Sequence, residues 1–280
     1  MVHSYCAIKF SGFLIAACVT AIADNKQEQF SYTVGPKPII SIRNQYGRIR
    51  VTPSSNNRVV ATVLHSDKVD VQHRQSGNRI VLGSRLHNAT SHETHSADYQ
   101  VLVPTDAFVM LNSSAGSLSA QNLKGDLVLE GATGLVDVRG TSNAHIHVRT
   151  LNGPISLSDI IDSHVEVTTI SGDVNLQDVT RSFVSVRSGA GTIKYNGEPG
   201  LGVYALTSHS GDIEVSLPTS ASVRVTAKSV KGRIDNGFPV QPKTSINFRP
   251  GREKSFLGGP ASAASLTVRS FSGNISLKSR

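Results

Sequence analysis

A glycine recurs along the second half of the chain at a nearly constant interval. It occupies positions Gly116, Gly134, Gly153, Gly172, Gly191, Gly211, Gly232 and Gly273, at steps of 18, 19, 19, 19, 20, 21 and 41 residues. The residues around it share one register: "TTISGDVNL" at 168–176 returns as "TSHSGDIEV", as "RSFSGNISL" and, more loosely, as "RTLNGPISL". Apolar residues alternate before the glycine, as in "HVEVTT" and "FVSVRS", and again after it, as in "DVNL", "TIKY" and "DIEV". That is the period of a strand with one buried face, so each unit holds two short strands and two turns. A unit this small cannot cover its own inward Val, Ile and Leu, whereas stacking units on one another makes a continuous core.

The expected fold is therefore all-β, a parallel β-solenoid with an N-terminal β cap. A right-handed single-stranded β-helix is expected because the strict hexapeptide pattern of other β-helices is missing. An antiparallel sandwich or barrel also spaces short strands regularly. Its hairpins, however, alternate direction and need not repeat one phrase at every second turn. At each corner a residue with positive φ or a close backbone approach is required, which assigns the eight glycines a structural role. Asp173, Asp212 and Asn274, which follow the glycine, read as turn formers for the same reason.

Composition agrees with strands and tight turns: there is no Trp, and aromatic residues make up 5% of the 280. Residues 1–23 have the layout of a secretory signal peptide, with Lys9, an apolar run from Phe10 to Val19 and a small-x-small end at Ala21-Ile22-Ala23. Cleavage there would leave Asp24 first. Alternatively, Ile15-Ala16-Ala17-Cys18 resembles a lipobox, with lipid anchoring at Cys18. Both cysteines, Cys6 and Cys18, fall in this segment, so cleavage after Ala23 would remove every thiol. The implied organisation is a signal peptide over 1–23, a β cap and first rungs over 24–110, and solenoid repeats over 111–280. The address implied is exported: periplasm, outer-membrane surface or secreted.

Several stretches in order, "ISIRNQYGRIRV", "VLVPTDAFVMLNSSAGSLSA", "TISGDVNL", "SHSGDIEV" and, after "GFPV" and a glycine-rich stretch, "LTVRSFSGNISL", resemble the bacterial "putative adhesin" family of β-strand-repeat envelope proteins. The resemblance covers nearly all of the chain beyond residue 23. It implies a repeat architecture and an envelope-associated binding or scaffold role, and it carries over no catalytic residue.

A polysaccharide-active enzyme is the rival reading, because β-helices often carry paired carboxylates or a carboxylate–metal–Arg site on one face. Stacking by the repeat puts Pro154, Asp173, Thr192, Asp212 and Arg233 after successive glycines, so acids do not occupy consecutive rungs. Ser208, His209, Ser210 and Asp212 in "SHSGD" are neighbours along the chain and point in different directions, which does not build a nucleophile relay. "HETH", with His92 and His95, has no helical support for a zinc site. No cofactor is expected.

One constellation does bring ligands together. His145 and His147 flank Ile146, and the next unit places His164 level with His145 and Glu166 level with His147. Rungs lie about 4.8 Å apart and alternate residues about 6.5–7 Å apart, so three imidazoles and a carboxylate form a candidate zinc or copper patch.

Charge is divided along the chain. Residues 111–223 hold 6 Lys+Arg against 11 Asp+Glu, and residues 224–280 hold 11 against 2. The basic end makes Lys243, Arg249, Arg252 and Lys254 candidates for contact with anionic envelope glycans or lipid headgroups. Nucleic acid is not expected at an exported address. Like-strand edges at the ends of a stack are expected to permit self-association.

Overall fold

The computed structural model describes residues 25–86, 95–200, 202–238, 253–257 and 264–280, and all regular structure in them is β-strand. The N-terminal part contributes β1 (Asn25–Thr33), β2 (Ile39–Asn44), β3 (Ile49–Pro53), β4 (Arg58–Ser66), β5 (Val69–Ser76), β6 (Arg79–Leu86) and β7 (Ala97–Val103). The repeat follows as strand pairs: β8 (Phe108–Ser113) with β9 (Leu118–Gln121), β10 (Leu127–Gly131) with β11 (Val136–Arg139), and β12 (His145–Thr150) with β13 (Ile155–Ile161). Next come β14 (His164–Thr169) with β15 (Val174–Thr180), β16 (Phe183–Ser188) with β17 (Ile193–Asn196), and β18 (Val203–Ser208) with β19 (Ile213–Leu217). The chain closes with β20 (Val223–Ser229), β21 (Ile234–Asn236), β22 (Glu253–Leu257), β23 (Ala264–Ser270) and β24 (Ile275–Ser279).

First strands of the pairs join one sheet and second strands join another, each of 12 strands. Successive rungs pair in parallel and in register, as in Ile146 with Val165 and Ile155 with Val174. The repeat is thus a two-sheet parallel stack. Its interior is a set of columns: Ile146, Val165, Val184 and Tyr204 from one sheet face Ile155, Val174, Ile193 and Ile213 from the other, all buried. Each such side chain contributes about 1.5–3 kcal/mol when removed from water, and only the neighbouring rungs remove it.

The phrase corner has a specific cause. In most rungs a Cβ on the glycine would overlap the backbone carbonyl of the glycine one rung away, so Gly134, Gly153, Gly172, Gly191 and Gly211 form a continuous ladder of close approaches. Among the eight repeat glycines positive φ is not the requirement; it appears at Gly47, between β2 and β3, with φ 102°. Except at Gly134, where Gly131 holds the position, a buried Ser or Thr stands three residues before the glycine. Its hydroxyl accepts the glycine N–H in the rungs of Gly116, Gly172, Gly211, Gly232 and Gly273, at 2.8–3.0 Å. Left-handed backbone lies instead at the opposite corner, on Asn122, Asn143, Asp159, Asp162 and Asp178, residue types that tolerate it, and on Arg181. There Ser163, Ser182 and Tyr204 form a second ladder, each oxygen accepting a backbone N–H from the rung before.

Rung order departs from chain order at both ends. The pair β23–β24 lies between β18–β19 and β20–β21, so the glycine ladder runs Gly211, Gly273, Gly232. The step of 41 residues is therefore no missing rung: β22 folds back antiparallel on β20, and the chain then returns to fill the gap. At the other end β2–β3 packs directly on β8–β9, while β6–β7 lies outside it. Residues 39–53 are accordingly an inner rung, and the division expected at residue 110 falls inside β8. Antiparallel β1, β4 and β5 cover the N-terminal end.

Among the described residues the C-terminal end of the stack leaves the edge of the short β21 unpaired in its sheet, whereas β22 pairs with the last strand of the other. Residues 1–23, Cys18, Asp24, His92, Lys243, Arg249 and Arg252 lie outside the described residues. Lys254 falls on β22, whose backbone alone is described. No helix among the described residues is long and apolar enough to cross a membrane.

Candidate ligand groove

The histidine constellation assembles on the outer face as the register requires, with His145 opposite His164 and His147 opposite Glu166. Glu166 is shared, 3.2 Å from His147 Nδ1 and 3.6 Å from His164 Nε2, while His145 Nδ1 lies 3.2 Å from Asp126. The rings of His145 and His164 are tilted with centroids 5.6 Å apart, and Phe183 continues the column at 6.2 Å. The result is a polar ladder along the sheet. Among the described residues no three His, Cys, Asp or Glu converge on a point that could hold a metal ion.

The acids after the glycine are committed to the backbone. Asp173 accepts the N–H of Thr192, Asp212 that of Asn274, and Asn274 that of Arg233. These contacts tie neighbouring rungs together at three steps of the stack, a larger role than a turn within one unit. The residues of "SHSGD" are likewise dispersed: Ser208 binds the Gly211 N–H, Ser210 donates to the Gly189 carbonyl, and His209 stacks on Phe271.

A groove appears where the first sheet meets the phrase corner. Its wall on the sheet side is the column four residues before each glycine, which in spatial order reads Glu130, Arg149, Thr168, Arg187, Thr207, Arg269, Lys228. The opposite wall is the column two residues before the glycine, an exposed apolar ridge with Leu151, Ile170, Phe271 and Val230 each 41–59% accessible. Between them the floor is made of the small residues three before each glycine, Ser or Thr except at Gly131. Two recesses open along it. One, of about 560 Å³, is lined by Arg187, Thr207, His209, Lys228, Val230, Arg269 and Phe271. The other, of about 400 Å³, is lined by Asn112, Glu130, Arg149, Leu151, Thr168 and Ile170.

Ring chemistry concentrates at the larger recess. His209 and Phe271 stack with centroids 5.1 Å apart, and Lys231 Nζ sits 4.9 Å from the Phe271 centroid. On other columns of the outer faces Arg48 pairs with Asp98 and Arg181 with Asp162. The groove cations form a wall of one sign that ends at Glu130, which is held by Asn112. This site was not among the sequence candidates. Its signal is the basic residue four positions before the glycine in the rungs of Gly153, Gly191, Gly232 and Gly273.

A two-sheet parallel strand repeat with ladders of glycine and Ser/Thr at one corner defines a class of repeat proteins. The sequence profile of the family described as Toastrack DUF4097 matches residues 39–278, and the chain belongs to that family. This agrees with the strand-repeat resemblance read from the sequence. Among solved structures, the chain is similar to a putative cell adhesion protein from Clostridium sporogenes, with 13% identity, TM-score 0.29, and coverage of 91% of this chain and 100% of that one. It is also similar to a putative adhesin from Bacteroides fragilis, at 12% identity and TM-score 0.36 over 90% of this chain and 97% of that one. A putative adhesin from Parabacteroides distasonis matches at 12% identity and TM-score 0.34, over 92% and 98% respectively. No curated protein sequence matches the chain.

Proposed function

We propose that the protein is an exported, non-enzymatic, envelope-associated binding module whose ligand is an anionic envelope polymer held in the corner groove. The observation that carries this reading is the aligned wall of Arg149, Arg187, Arg269 and Lys228 beside an exposed apolar ridge. The stack fixes the backbone positions of these residues in one column, so a polyanion meets them without the backbone first being ordered, which lowers the entropic cost of binding. Export rests on the signal-peptide layout of residues 1–23, with anchoring at Cys18 as its variant. The rival reading, a polysaccharide-cleaving enzyme, finds less support, because Asp173 and Asp212 are engaged with backbone N–H groups of the next rung.

The test is co-sedimentation of the purified protein with isolated envelope fragments at low and high salt, beside an Arg187→Ala, Arg269→Ala variant. Binding that salt and the substitutions both weaken supports the reading. Binding indifferent to both points to another surface, and no binding at either salt removes the proposal.

A further inference from the structure

We infer that the groove takes a linear acidic polysaccharide in which acidic and neutral sugars alternate, laid along the axis of the stack; this deepens the proposed function and rests on it. The argument is one of period. Along the basic wall arginine and threonine alternate, Arg149, Thr168, Arg187, Thr207, Arg269, each opposite the next in strict parallel register. With strands about 4.8 Å apart, the arginine Cα positions recur at about 9.6 Å, a separation the side chains can match at their heads. In an extended β-linked chain every second sugar presents the same face, so the carboxylates of an alternating uronic-acid polymer recur at close to this separation. Arg offers a planar fork that matches a carboxylate, and the intervening Thr hydroxyls suit a neutral sugar's hydroxyl or amide groups.

The opposite wall fits the same occupant. Sugar rings carry apolar C–H faces, which pack against aliphatic and aromatic side chains; Leu151, Ile170 and the stacked His209–Phe271 pair supply such surfaces along the groove. A phospholipid surface would need cations and apolar groups on one plane. Here they stand on two walls with a recess of about 560 Å³ between them, a volume that holds sugar rings. Glu130 ends the run of positive charge at one end, and the Arg/Thr alternation covers the four rung steps from Arg149 to Arg269, about 19 Å, with Lys228 one rung beyond.

Calorimetry on the full protein would use a short and a long hyaluronan oligosaccharide as the alternating acidic probes, a cello-oligosaccharide as the neutral one, and phosphatidylglycerol vesicles as the lipid source. The long hyaluronan oligosaccharide is expected to bind with an affinity that falls with salt. One too short to reach two arginines should bind at least about tenfold more weakly, and Arg187→Gln should cost the long one a similar factor. The cello-oligosaccharide should give no heat. Circular dichroism and melting temperature of Arg187→Gln establish that the fold is intact, because its side chain lies on the outer face. Binding of vesicles without hyaluronan would overturn this inference and leave the anionic-ligand reading standing. Hyaluronan binding insensitive to Arg187→Gln and Arg269→Gln would overturn the assignment to the groove. Failure of all probes, together with failure to co-sediment with envelope fragments, would remove both.

Discussion

Phe271 lies flat against His209, their planes 6° from parallel, because β23 is the spatial neighbour of β18 although β20 follows β18–β19 in the chain. This contact marks the inserted rung, which supplies Leu266, Val268, Ile275 and Leu277 to the core.

Removing that rung therefore opens a gap rather than trimming an end. A chain stopped after residue 263 is expected to lose amide-exchange protection across β18 to β21. Rungs β10 to β17 should stay protected, since in a stacked repeat each rung depends mainly on its neighbours. Uniform loss of protection would show that the stack melts as one unit, and unchanged protection in β20 would show that the outer rung closes up on β18.

Replacement of a ladder glycine is expected to be costly, and the position decides how much. At Gly172 the new Cβ meets the carbonyl of Gly153, backbone against backbone, so Gly172→Ala should destabilise by at least about 1–3 kcal/mol. Gly83 has φ outside the left-handed region and its nearest contact is at 3.6 Å, so Gly83→Ala should stay within about 0.5 kcal/mol of the parent. Urea denaturation of both variants measures the difference.

The Ser/Thr ladder makes a sharper mutational prediction, because volume can be held constant. Thr169 Oγ1 accepts the Gly172 N–H at 2.9 Å and the Thr150 hydroxyl at 3.0 Å. Thr169→Val keeps the shape and strands the buried N–H, with an expected loss of about 1–3 kcal/mol in chemical denaturation. Thr169→Ser should restore most of it. If Val were tolerated as well as Ser, the hydroxyl would be incidental.

Alkali should unfold the protein before mild acid does. Burial raises Tyr99 from 10.0 to about 12, and it pushes Tyr195 and Tyr204 upward as well. Each of these tyrosines is held protonated more firmly when folded than when unfolded. Their contribution is thus fully present below about pH 10 and is lost as pH climbs through the folded values. Urea midpoints should fall as pH rises above about 10, and Tyr99→Phe should make that fall shallower. A parent midpoint that held steady in this range would contradict the assignment.

Much of the unit was legible in the residues themselves. The alternation in "HVEVTT" and "DVNL" identifies which Val and Leu point inward, because strand period depends only on backbone geometry. The register that brings His145 to His164 followed from the glycine alignment alone. Rung order was not legible, since "ASVRVTAKSVKG" and "ASLTVRSFSG" carry the same local signals and differ only in which neighbour they meet. The close approach at Gly172 was one of two readings of a corner glycine, and only the partner's carbonyl distinguishes it from a left-handed turn.

The groove escaped notice for another reason. Residues 111–223 are net negative because Arg149 and Arg187 share that stretch with acids of other columns, such as Asp137 and Asp159, and a basic stripe lies hidden inside it. A column four residues before the glycine reports a surface; a segment total does not. The Ser or Thr three before the glycine was also present in nearly every phrase, and its meaning appeared only with the hydroxyl-to-N–H distance.

The inserted pair β23–β24 also bears on how the molecule is made. Synthesis runs from the N-terminus, so β20–β21 emerges while the place beside β18–β19 is still vacant and must wait for a segment made later. A stack that grew strictly in chain order could be sound at every length. This one closes its interior with a keystone, and a product interrupted within the last rungs would present raw strand edges to any protease that surveys unfinished chains.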